Sequence, residues 1–72
     1  MRIRDLRLGG TYYGKISGER KIMEWAGISS FAGANLTYEE ILDGHNMPSG
    51  AIKTCSAAAF ARWAEEECEA RP

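Results

Sequence analysis

The chain has 72 residues and is expected to form one domain, 1–72, whose core is so small that each large apolar residue is weighed first as packing. With 44% hydrophobic and 26% charged residues it lies in the ordinary globular range, which argues against wholesale disorder, and no apolar run is long enough to span a bilayer. A net charge of −1 argues against a general polyanion binder, although the first 21 residues carry +4 and the remainder −5.

The opening "MRIRDLRLGG" is charged at alternate positions and has no continuous apolar stretch, so it does not read as a secretory leader, and the expected location is the cytoplasm. Leu6 and Leu8 precede Gly9–Gly10, a pair that marks a reversal or a bulge. Thr11, Tyr12 and Tyr13 are strand formers, and a short strand is expected from Thr11 to Lys15. Ser17–Gly18 marks a tight turn. "ERKIMEWAGI" then reads as the second strand of a hairpin. Strict alternation puts Lys21, Met23 and Trp25 on one face, with Met23 and Trp25 in the core and Ile22 left facing out.

"SSFAGAN" is a loop of small residues that carries one large one, Phe31. "LTYEEIL" reads as a third strand in which Ile41 and Leu42 need a bulge to be buried. The competing reading is a short helix capped by Thr37, with Glu40 closing the capping box. Asp43 to Gly50 is dense in turn residues and reads as a loop. "AIKTC" is a short fourth strand. Ser56 is then a natural N-cap for a helix over 57–69. On that helix Ala57, Phe60, Ala61, Trp63, Ala64 and Cys68 trace one stripe, with Arg62, Glu65, Glu66 and Glu69 opposite. The alanines allow close approach to a sheet while Phe60 and Trp63 fill the gap. Glutamates on the polar face would be repelled by anionic lipid, so no membrane role is expected. Four carboxylates at a helix C-terminus oppose the macrodipole, which leaves either a solvated last turn or an acidic patch for a basic partner. A helix between Cys55 and Cys68 would hold their Cα atoms roughly 18 Å apart, too far for a disulfide.

The residues offer little chemistry. His45 is the sole histidine. A Cys55/His45/Asp43 nucleophile set can be written down, but no signature supports it. One His and two distant Cys are too few for a metal site, and Gly9–Gly10 lacks the context of a phosphate loop. No enzyme activity, cofactor or metal is expected. Tyr13, Lys15, Arg20 and Lys21 surround the hairpin turn and could stack and neutralise single-stranded nucleic acid. Ile28 and Phe31 sit in a loop that needs no large apolar residue and are candidate anchors for a protein partner, together with Glu65, Glu66 and Glu69.

Taken together, "LRLGGTYYGK…ERKIMEW…LTYE…IKTCSAAAFARWA" resembles a group of very short phage and prophage proteins that share a GxxY opening, a basic turn, alternating strands and a "CSxxxFARWA" tail. The resemblance covers roughly residues 6–64 and is most specific at Cys55–Ala64. The chain departs from the group over Ala26–Asn35, a stretch that is long and apolar for a simple hairpin. The resemblance implies an SH3-like or otherwise strongly bent sheet closed by a C-terminal helix. It carries no established activity and no functional residues. Small phage proteins without catalytic groups often act by binding a host protein, in some cases one of a host defence system.

The expectation is therefore an α+β domain. A small bent antiparallel sheet, SH3-like with three to four strands over about 6–55, is closed by helix 57–69. The expected core is Leu6, Leu8, Tyr12, Met23, Trp25, Leu36, Tyr38, Ile52, Phe60, Trp63 and Ala64. The expected function is non-catalytic binding of a host protein by a monomer or weak homodimer in the cytoplasm, with single-stranded nucleic acid as the alternative partner.

Overall fold

The computed structural model describes residues 1–25 and 35–68. A short 3-10 turn at Ile3–Asp5 leads into strands β1 (Thr11–Gly14), β2 (Glu19–Trp25), β3 (Asn35–Leu42) and β4 (Pro48–Ser56). Helix α1 (Ala57–Trp63) and strand β5 (Ala64–Glu67) follow. The strands form one sheet in the order β4-β3-β2-β1-β5, and every adjacent pair is antiparallel. The α+β class and the antiparallel sheet match expectation. The strand count of five does not, because the chain returns to the sheet after the helix.

That return corrects the helix over 57–69. Ser56 caps α1 as expected, its hydroxyl accepting from the Ala59 N–H at 3.1 Å. The helix stops at Trp63, and Ala64 is already extended, with φ −73° and ψ 131°. A longer helix would stack Glu65, Glu66 and Glu67 against the negative end of its own dipole. As a strand, the same residues pair with β1, Glu66 opposite Tyr13 and Glu67 opposite Tyr12.

Connectivity forces the sheet to curl. Four interstrand steps of about 4.8 Å separate β4 from β5, about 19 Å across a flat sheet. Helix α1 joins them with no intervening residues, yet seven helical residues span only about 10 Å. The sheet must therefore wrap around α1. Register shifts at Tyr13/Gly14, Ile22/Glu24 and Glu40/Leu42 supply the bending.

The core inside this curl is Leu6, Tyr12, Ile22, Trp25, Leu36, Tyr38, Ala57, Phe60, Ala61 and Ala64. Phe60 is its hub, meeting Tyr12 at 5.6 Å, Tyr38 at 5.7 Å and Trp63 at 5.2 Å between centroids, all edge-on. Each such pair is worth about 0.5–1.5 kcal/mol beyond the area it buries. Tyr12 is wholly enclosed, and its hydroxyl accepts from the Arg7 N–H at 2.6 Å, tying the N-terminal segment to β1. Burial raises the Tyr12 phenol above its ordinary pKa.

Three expected core residues are exposed. Met23 is 46% exposed while Ile22 is fully buried. The shift between Ile22 and Glu24 inserts Met23 as an extra residue against β3, so Ile22 and Trp25 both face in. Ile52 lies opposite Glu39 on the outer side of edge strand β4, whose inner positions belong to Ala51, Lys53 and Cys55. Leu8 sits on the reversal closed by the Gly10 N–H to the Arg7 carbonyl, and points to solvent. Both cysteines are free. The helix reasoning for them no longer applies, since Cys68 follows β5 and Cys55 lies on β4, the two edge strands of the sheet.

Candidate functional site

Inward-facing positions at the Arg20 end of β2 are polar. Arg20 pairs with Tyr12 on β1 and Glu40 on β3, so it shares the core-facing side with both. Its guanidinium carbon stands 4.1 Å from the Trp63 ring centroid and 4.7 Å from that of Tyr38. Contact with two aromatic rings fixes the guanidinium plane before any ligand arrives.

Two glycines make room for the indole. A Cβ on Gly14 would clash with Trp63 Nε1 and the Ser17 carbonyl, and Gly18 adopts φ +94° beneath the indole edge. The Lys15 N–H donates to the Trp63 carbonyl at 3.0 Å, locking the turn between β1 and β2 to the end of α1. Across the site, the β3–β4 turn latches onto the same loop. The Ser17 hydroxyl donates to the Gly44 carbonyl, and the Gly18 N–H donates to Asn46 Oδ1 at 2.9 Å.

These elements line an open cleft of about 440 Å³. Lys15, Arg20 and Arg62 supply three cations around Trp63, while Ile16, Ser17 and Gly44 complete the wall. Among the described residues that line it, none is acidic. Glu40, the register partner of Arg20 on β3, accepts from the Ser49 hydroxyl at 2.8 Å and meets Lys53 Nζ at 3.5 Å. The chemistry available is the binding of an anion by charge and by planar hydrogen bonding.

Of the four residues read as a nucleic-acid surface, Lys15 and Arg20 meet in this cleft. Tyr13 and Lys21 lie on the outer side of the sheet. Tyr13 has Glu19 and Glu66 as register neighbours, and Lys21 has Thr11 and Glu39. Arg62 and Trp63 joined the site unannounced. The sequence put Trp63 in the helix stripe and Arg62 on its polar side, and no local signal places either beside the Gly14–Gly18 turn. Glu65 and Glu66 are exposed on edge strand β5 rather than on a helix. Ile28, Phe31 and Glu69 lie outside the described residues.

The conceivable nucleophile set is dispersed. Asp43 Oδ1 accepts the backbone N–H groups of His45 at 2.8 Å and Met47 at 3.1 Å, closing the hairpin turn. Those two bonds, Met47 first, hold the Asp43 carboxyl below its ordinary pKa. Cys55 lies about 20 Å along β4 from that turn, and burial pushes its thiol up. Among the described residues no group of three or more His, Cys, Asp or Glu could hold a metal ion. No helix among them is long and apolar enough to cross a membrane. No family model, curated protein or solved structure matches the chain.

Proposed function

We propose that this chain is a non-catalytic binding module, SH3-like in arrangement and of phage or mobile-element type, that modulates a host protein by direct contact. The cationic cleft around Trp63 carries the reading: three basic side chains gathered around one indole. The SH3-like assignment draws support from the five-strand order and from the short helix between the last two strands. Ile28 and Phe31 enter as candidate anchors from the sequence alone. A host defence protein is the kind of target the phage resemblance suggests. The second reading, single-stranded nucleic acid, is favoured by the presence of Lys15 and Arg20 in one cleft.

The test is capture from host lysate by the tagged chain, with and without nuclease, beside a folded Lys15→Glu/Arg62→Glu variant. A protein that survives nuclease and is lost by the variant supports the module. Capture abolished by nuclease transfers the cleft to nucleic acid, and capture unaffected by the variant removes the cleft from the function.

A further inference from the structure

We infer that the Lys15–Arg20–Arg62 cleft takes carboxylate side chains of an acidic peptide segment, with Arg20 as the gripping group and Trp63 as the residue that positions it. The inference rests on the binding-module reading and names the chemistry of its partner.

Charge calls for an anion, and two observations select a short acidic peptide over a nucleic-acid strand. The indole of Trp63 has little surface left for a base. Arg20 lies over its ring at 4.1 Å, Gly14 presses so close that a Cβ would clash, and Phe60 meets it at 5.2 Å. Tyr38 is buried beneath Arg20 and Phe60, so it offers no platform either. Single-strand binding relies on stacked bases along an extended basic track. Neither Trp63 nor Tyr38 leaves a face open for such stacking.

The stacked guanidinium explains why arginine stands at position 20. A planar fork held by two rings presents its remaining N–H groups in a fixed direction and suits a carboxylate bidentately. Lysine would keep the charge but lose the stacking and the fork. Arg62 and Lys15 then act as the flanking cations that raise the local concentration of negative charge.

The experiment titrates the full chain with a labelled polyglutamate peptide and, separately, with an oligothymidylate, reading anisotropy and the two tryptophan indole N–H signals by NMR. Saturable, salt-sensitive polyglutamate binding that moves the Trp63 indole signal and leaves that of Trp25 in place is expected. Arg20→Lys should weaken it about tenfold at unchanged net charge, and Arg62→Gln should weaken it while leaving the circular dichroism intact. Tighter oligothymidylate binding, no saturation at millimolar peptide, or indifference to Arg20→Lys would each overturn the inference. Should the lysate experiment still yield a nuclease-resistant protein partner in those cases, the module reading survives; if it yields none, both fall.

Discussion

Trp25 and Trp63 mark two ends of the same interior, and their surroundings differ. Trp25 closes β2 opposite Leu36, is 7% exposed, and its indole N–H finds no acceptor among the described residues. Trp63 sits at the Arg20 end, half-buried, with a cation on one side and glycine backbone against it. At the first end the inward positions include Ile22, Trp25 and Leu36; at the second, Arg20 and Glu40 stand beside Tyr12. In a domain small enough to need its apolar residues for packing, two inward positions at the second end carry charge, Arg20 and Glu40. Apolar packing fills one end and the cationic cleft lies at the other, with Phe60 packed between Tyr12, Tyr38 and Trp63.

The strongest way to break that division is through Phe60. Phe60→Ala removes a fully buried ring with three aromatic partners and should cost about 3–5 kcal/mol. A domain of this size holds only about 4–11 kcal/mol in total, so both ends should fail together in chemical denaturation. A variant that stayed folded and lost only the peptide would show that the core is shared less than the geometry implies.

Gly14→Ala should separate the ends. The added methyl meets Trp63 Nε1 and the Ser17 carbonyl, and displacing the indole should cost about 1–3 kcal/mol while the Ile22–Leu36 end stays packed. Gly44→Ala, at a wall residue with nothing within 4 Å of the new Cβ, is the matched control and should stay within about 0.5 kcal/mol of the parent. Denaturation midpoints of the pair, read beside the Trp63 indole signal, check the difference.

The same division marks what could be read from the sequence. Period-two patterning revealed β1, β3 and the β1–β2 hairpin, and Ser56 announced α1, because those signals are local. Met23 was misread because one bulged residue reverses the parity of a strand, and bulges answer to sheet curvature rather than to local propensity. The end of α1 was misread because the alanine-rich stripe continues through Ala64, while pairing with β1 is a contact more than fifty residues away in sequence. The cleft was half legible: Lys15 and Arg20 flank a visible turn, but their union with Arg62 and Trp63 depends on the curl of the sheet.

Ser56→Ala tests how much the two ends share a single support. Loss of the hydroxyl that accepts from the Ala59 N–H should cost about 1 kcal/mol. Because α1 carries both Phe60 and Trp63, thermal stability and peptide affinity should fall together. Affinity falling alone would place the cap in the recognition end only.

The smallest expected effect is pH-dependent and belongs to the turn that supplies Gly44 to the cleft. Asp43 accepts two backbone N–H bonds when ionised, so its folded pKa lies below its unfolded value. A depressed carboxyl contributes stability that is present above the unfolded pKa and is lost as pH falls through the folded one. Acid should therefore loosen the Asp43–Met47 turn before the core responds, seen as early loss of protection at the His45 and Met47 amides. Asp43→Asn keeps an oxygen acceptor at the same place but does not titrate there, so it should flatten that acid limb with little change at neutral pH. If the limb persists in Asp43→Asn, the early loss of protection does not come from the Asp43 carboxylate, and the rim of the cleft is not where acid acts first.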